Sequence, residues 1–223
     1  MSKAKTIPVI TIDGPGGSGK GTIGQLLAKK LGWHFLDSGA LYRILALAAT
    51  ERSIDLEDAM ALRFLALSLK ITFNTDILLD GRPITHLIRT EQCGNIASKI
   101  AVFPLVREVL LAMQRAFCQP PGLVADGRDM GTVVFPEANL KLFLEASVEE
   151  RAKRRYFQLK DMGQNVTLHH LLAEMRARDV RDKGRVVAPL EPAKDAVVIN
   201  TTGMAIEEVF KEVMKVVKQH SLY

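Results

Sequence analysis

The hydrophobic pattern of this chain alternates between short β-branched runs and longer stretches of helical period. Val9-Ile10-Thr11-Ile12-Asp13 reads as a buried strand. A glycine-rich turn follows. Thr22 to Leu31 then carries a helical pattern that Gly32 stops. Trp33 to Asp37 predicts a second strand and Tyr42 to Glu51 a second helix. Leu123 to Asp126, Lys141 to Leu144 and Ala196 to Asn200 are further short apolar strands, the last followed by a helix from Ile206 to Gln219. Strands alternating with helices predict an α/β fold with a parallel sheet. Two stretches break the rhythm. Leu69 to Ile84 holds strand-like pieces, Lys70 to Phe73 and Ile77 to Leu79, separated by Asn74-Thr75-Asp76 and ended by Asp80-Gly81; it predicts a small antiparallel meander. The segment near 155–187 is arginine-rich and helical, bounded by Gly163 and by Pro189 with Pro192, and predicts a mobile flap inserted on the main sheet.

Composition narrows the class without naming it. The 223 residues are 48% hydrophobic and 25% charged, a globular mix that excludes disorder and fibrous repeats. The longest apolar run, Ile44 to Ala49, is far short of the roughly 20 residues of a membrane span. Met1 to Thr6 leads into the first strand with no secretory apolar region. Cys93 and Cys118 lack the spacing of a zinc site and are too few for a disulfide framework, which predicts two free thiols in a reducing cytosol. His34, His86, His169, His170 and His220 show no ligand spacing.

Charge adds a direction. The net charge is +5, yet residues 151–185 alone hold ten Lys/Arg against four acids, so the remainder is close to neutral. A local cluster of this kind predicts a polyanionic partner, nucleic acid or the phosphates of a nucleotide, or else a solvated helix face laced by i,i+4 ion pairs. Arg178, Arg181 and Arg185 are spaced i, i+3, i+7 on one predicted helix face, with Asp182 on it too. Such a stack repels itself unless an anion lies within it. Arg151 and Arg155 form a second pair at i, i+4.

The glycine-rich turn supplies the chemistry. Gly14-Pro15-Gly16-Gly17-Ser18-Gly19-Lys20-Gly21-Thr22 fits G-x-x-x-x-G-K, a loop whose backbone N–H groups cradle phosphates while the lysine adds a full charge. Gly14, Gly16 and Gly19 also fit G-x-G-x-x-G, with Asp37 eighteen residues further on as the acid of a dinucleotide site. Lys20 favours the triphosphate reading, because a dinucleotide site has no need of a lysine directly after its last glycine. The hydroxyl that usually follows the lysine and holds Mg²⁺ is replaced by Gly21, and Thr22 comes one later. No protein ligand to Mg²⁺ is therefore assigned. Asp126, ending an apolar strand, is the candidate to hold the ion through water, with a turn cap as its equal alternative.

With these residues in place, the chain resembles the bacterial cytidylate kinases, a family of P-loop nucleoside-monophosphate kinases. The resemblance rests on Ile12-Asp13-Gly14-Pro15, Gly19-Lys20-Gly21-Thr22, Leu36-Asp37-Ser38-Gly39-Ala40-Leu41-Tyr42-Arg43, Ile88-Arg89-Thr90, Phe103-Pro104 and Val106-Arg107. It rests above all on the run Ala125-Asp126-Gly127-Arg128-Asp129-Met130-Gly131-Thr132, with Arg178-Asp179, Arg181-Asp182, Arg185 and Ala188-Pro189-Leu190 further on. It implies one domain over 1–223 with a five-stranded parallel core, a monophosphate-binding insert near 62–102 and a helical lid near 155–187. It implies a cytosolic monomer that transfers the γ-phosphate of ATP, with Mg²⁺, to CMP or dCMP, and no nucleic-acid or membrane partner.

By motif, Gly14 to Thr22 and Arg151 would bind ATP. Ser38, Arg43, Arg128 and Arg185 would hold the acceptor phosphate, and Tyr42 would lie beside the base. Ser98, Arg107 and Asp129 would face cytosine, with Arg178 and Asp182 on the sugar. Lys20, Arg128, Arg155, Arg178 and Arg185 would carry catalysis. The alternatives are a UMP-preferring or other small-molecule P-loop kinase, and a nucleic-acid-binding ATPase. The last would want aromatics interleaved with the arginines, where this segment has only the adjacent Tyr156 and Phe157.

Overall fold

The computed structural model describes residues 7–73 and 76–223. Met1 to Thr6, and the Asn74-Thr75 part of the meander's first break, lie outside the described residues. The described chain divides into two compact units. One comprises the residues up to Leu36 together with Ala116–Tyr223; the other is Asp37–Arg115.

The first unit is built on a five-stranded sheet. Its strands are β1 (Val9–Asp13), β2 (His34–Asp37), β6 (Leu123–Gly127), β7 (Leu140–Glu145) and β8 (Val197–Asn200), in the order β2-β6-β1-β7-β8. The β1 strand runs parallel to both β6 and β7, and β7 parallel to β8. All five residues of β1 are buried, as expected of a central parallel strand covered on both faces. On one face Ile10, Ile12, Val124, Leu142 and Leu144 meet Ile23 and Leu27 of α1 (Lys20–Leu31) and Val209, Val213 and Val217 of α8 (Ile206–Gln219). The i, i+4, i+8 spacing of those three valines is the stripe that made α8 legible to the residue. Ile12 pairs in register with Asp126, and Asp13 with Gly127 and Phe143, so the carboxyl ends of the three central strands lie side by side. That end of a parallel sheet is where α/β proteins place their ligands.

The basic segment of this unit differs from its expected outline. It consists of α6 (Val148–Asp161) and α7 (Leu168–Lys183), and Gly163 falls between them instead of bounding them, at φ +74. Ser147 and Thr167 cap the two helices through the N–H groups of Glu150 and His170.

In the second unit, α2 (Ser38–Glu51) is followed by α3 (Ala59–Ser68), then by the meander, a 3₁₀ turn over Leu87–Arg89, α4 (Glu91–Ile100) and α5 (Pro104–Ala116). The meander is antiparallel: β3 (Ile71–Phe73), β4 (Ile77–Leu79) and the two-residue β5 (Arg82–Pro83). Asp80 and Gly81 both have positive φ, the geometry of a tight hairpin turn, and Pro83 is tolerated because β5 is an edge. Sequence periodicity assigned none of α3, α4 and α5. The buried stripe of α4 is Cys93, Gly94, Ala97, Ser98 and Ile100, mostly residues too small or polar to register as an apolar face.

Candidate active site

The turn between β1 and α1 has a shape only glycine permits at its key points. Gly14 sits at φ +148, and a Cβ there would lie 2.0 Å from the Leu144 carbonyl oxygen. Gly17, at φ +81, rests directly on Arg151 and Met175. The first turn of α1 contains no acidic residue of its own, and its N-terminal end faces the loop. Lys20 is buried and donates from Nζ to the Pro15 carbonyl at 3.0 Å, which holds its charge across its own loop. Asp126 Oδ1 lies 3.9 Å from that ammonium.

Asp126 explains the departure at Gly21. A Cβ at position 21 would stand 3.1 Å from Asp126 Oδ2, so the space that a serine or threonine would occupy belongs to the carboxylate. Among the described residues no group of three or more His, Cys, Asp or Glu is placed to hold a metal ion. One buried carboxylate beside the loop and its lysine nevertheless fits Mg²⁺, which dehydrates reluctantly and is held by substrate phosphates, water and one or two carboxylates.

Asp13 sits one strand over and is 4% exposed. Its oxygens accept the Met130 N–H at 2.9 Å and the Gly131 N–H at 2.8 Å, pinning the start of a five-residue π-turn, Met130–Val134. Burial pushes its carboxyl up to about 7 against the lowering effect of those two N–H groups, and the nearby Asp129 and Asp126 charges push the same way as burial. A carboxyl raised on folding contributes stability in acid, below its ordinary value, and that contribution fades as pH rises toward 7. The stability of the wild type relative to Asp13→Asn should therefore fall between pH 4 and pH 7, by up to about 4 kcal/mol. Paired thermal melts across that range measure it, and a constant difference would contradict the raised value.

The arginine cluster carries its own anion. Asp182, 1% exposed, accepts Arg128 Nε at 3.1 Å, pairs with Arg185, and lies 3.8 Å from Arg178 Nε. Burial pushes its carboxyl up, but the guanidinium groups of Arg128, Arg178 and Arg185 outweigh burial and leave it below its ordinary value. The expected single helix face needs one correction. The α7 helix ends at Lys183 with Gly184 as its C-cap, so Arg185 reaches Asp182 from the segment after the helix. The ion pairs to Asp182 come from Arg128, Arg178 and Arg185, so Arg181, expected on the same face, is not among them. The cluster adjoins the loop, since a Cβ on Gly16 would lie 3.4 Å from Arg128 Nη2 and 3.8 Å from Arg178 Nη1. Asp129 is also buried, and its side chain makes no capping hydrogen bond to the turn it precedes.

Of the second pair, Arg155 is half-buried and donates to Gln158 Oε1 at 2.7 Å, whereas Arg151 is buried.

In the second unit, Asp37 caps α2 by accepting the Ala40 N–H at 3.1 Å and pairs with Arg89 at 2.8 Å. An acid committed to a helix cap and an arginine is not reserved for a ribose hydroxyl, which removes the support for a dinucleotide site. Ser38, Tyr42 and Arg43 all lie on α2, which packs against α4. Arg43 donates to the carbonyls of Ile88 at 2.8 Å and Thr90 at 3.0 Å, and a Cβ on Gly94 would strike its guanidinium at 2.6 Å. Ser98 on α4 and Arg107 on α5 are buried.

The sequence model of the family described as cytidylate kinase matches residues 10–219, a span that takes in every site residue named in this subsection. The chain belongs to the cytidylate kinase family. It is 58% identical to the cytidylate kinase of Aeromonas hydrophila, over 95% of this chain and 94% of that one. It is 55% identical to the cytidylate kinase of Methylococcus capsulatus, over 96% and 99%. A solved structure of an uncharacterized protein from Eubacterium ventriosum superposes with a TM-score of 0.52 at 13% identity, covering 96% of this chain and 99% of that one, a likeness of fold alone. Family membership disfavours the nucleic-acid-binding ATPase. No helix among the described residues is long and apolar enough to cross a membrane.

Three residues quoted in the motifs received no individual role from the sequence: Asp13, Arg89 and Asp179. Asp13 ends its strand like any turn residue, and its partners lie 117 and 118 positions away. Asp179 had one available signal, the repeat of Arg-Asp at 178–179 and 181–182.

Proposed function

We propose that this cytidylate kinase binds ATP on the loop Gly14 to Thr22 and CMP or dCMP on Ser38, Tyr42, Arg43, Ser98, Arg107, Arg128, Asp129, Arg178, Asp182 and Arg185. It transfers the ATP γ-phosphate to the acceptor, giving CDP or dCDP and ADP. The observation that carries the site assignment is the set of three guanidinium groups gathered on Asp182 beside the loop. Residues 62–102 serve as the monophosphate-binding insert and 155–187 as the lid of a monomeric enzyme of the cytoplasm.

The acceptor oxygen belongs to a phosphate whose second pKa is about 6, so it is largely ionised at neutral pH and no general base is needed. The chain's task is alignment of two polyanions and stabilisation of the charge that spreads in the transition state. Lys20 provides a fixed cation on the donor side. Arg128, Arg178 and Arg185 provide it on the acceptor side, pre-oriented by Asp182, and Arg155 adds to them from α6. Asp126 would hold, through water, a Mg²⁺ bound with ATP, which would supply further neutralisation of the phosphate charge. Closing the lid would exclude water, the competing acceptor.

Base choice tests the acceptor assignment. An ionised carboxylate only accepts hydrogen bonds, so it suits the N4 amino group of cytosine and opposes O4 of uracil. We expect Asp129→Asn to lower the CMP-over-UMP preference in kcat/KM at least about tenfold, with KM for ATP nearly unchanged. A coupled ADP-release assay across CMP, dCMP, UMP and AMP supplies the measurement. An equal loss on CMP and UMP would return Asp129 to a structural role.

A further inference from the structure

Arg151 was expected to reach ATP, but its guanidinium is already spent on protein. It is 3% exposed, in the first turns of α6. Nε donates to the Ala146 carbonyl at 3.0 Å. Nη1 donates to the Gly16 carbonyl at 3.1 Å and to Asp179 Oδ1 at 3.1 Å, and Nη2 to Asp179 Oδ2. Four donor contacts thus run to two carbonyls and one carboxylate. A cation so buried needs a counter-ion, and the two-pronged pair with Asp179 supplies it.

The loop rests on this arrangement. A Cβ on Gly17 would stand 3.1 Å from Arg151 Cβ, 3.2 Å from the Arg151 carbonyl oxygen and 3.3 Å from Met175 Cε. Met175, Arg178, Asp179 and Asp182 follow one another at i, i+3, i+4, i+7 along α7. Met175 meets Gly17, Arg178 meets Gly16, Asp179 holds Arg151 and Asp182 holds Arg128. One helix face therefore touches both the loop and the arginine cluster.

We propose that Arg151 and Asp179 form a brace that sets the shape of the phosphate loop from behind, making Asp179 a positioning residue for phosphoryl transfer and Arg151 one that acts on ATP through the loop. The physical link is the Gly16–Gly17 peptide. In a planar trans peptide the carbonyl and the following N–H point in opposite directions. Drawing the Gly16 oxygen onto Arg151 turns the Gly17 N–H away from α6, to the side on which the loop receives an anion. Asp179 keeps the guanidinium at that carbonyl, and so ties the loop to the helix that carries Arg178 and Asp182. The inference rests on the reading that Gly14 to Thr22 binds ATP.

The test compares Arg151→Lys, Asp179→Asn, Asp179→Glu and the Arg151→Lys/Asp179→Asn double variant, with Lys20→Ala as reference. The readouts are KM for ATP, KM for CMP, and the Gly17 amide resonance in the ligand-free protein. The brace predicts that Arg151→Lys and Asp179→Asn each raise KM for ATP about tenfold, with a much smaller change for CMP. The double variant should be no worse than the worse single, because both remove one interaction. Asp179→Glu, which keeps the charge, should recover most of the loss, and the ligand-free Gly17 resonance of Arg151→Lys carries the test if Asp179→Asn does not fold. The Gly17 resonance should shift in Arg151→Lys and Asp179→Asn before any ligand is added. If Arg151→Lys raises KM for ATP while Asp179→Asn leaves it within twofold, or if the ligand-free Gly17 resonance of Arg151→Lys stays in place, Arg151 touches ATP directly and the brace is overturned. If Lys20→Ala leaves ATP binding and turnover intact, the loop reading itself fails.

Discussion

Replacing Lys20 by alanine is expected to lower kcat roughly 10²–10³-fold, the usual cost of one preorganised transition-state charge donor. The glycine geometry at Gly14, Gly17 and Gly19 does not depend on the lysine, and the core beneath α1 is formed by Ile23 and Leu27. The variant should accordingly fold. It loses the 3.0 Å bond to the Pro15 carbonyl and the counter-charge 3.9 Å from Asp126, so a small drop in Tm accompanies the loss of turnover. Single-turnover measurements with ATP and CMP, beside a thermal melt, separate the two effects. A variant retaining more than half of wild-type turnover would remove Lys20 from the chemistry.

Asp182→Asn is expected to give the largest loss of stability of any single polar substitution in the site. The carboxylate is 1% exposed and faces three guanidinium groups whose own side chains are between 6% and 22% exposed. Removing one partner of a buried ionic group leaves uncompensated charge and costs about 3–5 kcal/mol. In a chain of this size that corresponds to a drop in Tm of roughly 10 °C. Because Asp182 orients the arginines that receive CMP, the variant should bind CMP more weakly and gain less from it, so the deficit should widen when CMP is present. The wild type has a matching acid limit. A carboxyl lowered on folding stabilises above its ordinary value of 3.8, and that stability is lost as pH falls through its lower folded value. A Tm within two degrees of wild type, with and without CMP, would show that the arginines do not depend on Asp182.

The parts legible without tertiary structure were those whose signal is local. The turn between β1 and α1 was legible because its positive-φ positions, Gly14, Gly17 and Gly19, favour glycine within one short stretch. The α8 helix was legible because Val209, Val213 and Val217 repeat on one face, and Asp80-Gly81 because a tight hairpin requires positive φ at adjacent positions. Helix α4 was not assigned, its buried face being made of small and polar residues, Cys93, Gly94, Ala97 and Ser98, among which Gly94 leaves room for the Arg43 guanidinium.

Periodicity placed Arg178 and Asp182 on one face, but could not say which charges would close on one another. Arg128 meets Asp182 across 54 positions, Arg151 meets Asp179 across 28 and Gly16 across 135, and Asp13 reaches Met130 across 117. Those pairings follow from a sheet whose order, β2-β6-β1-β7-β8, sets strands distant in sequence side by side. Residue types and their local spacing determined what chemistry this protein holds. The order of the strands, which only long-range packing settles, decided which arginines are spent on protein carboxylates and brought Asp126 beside Lys20.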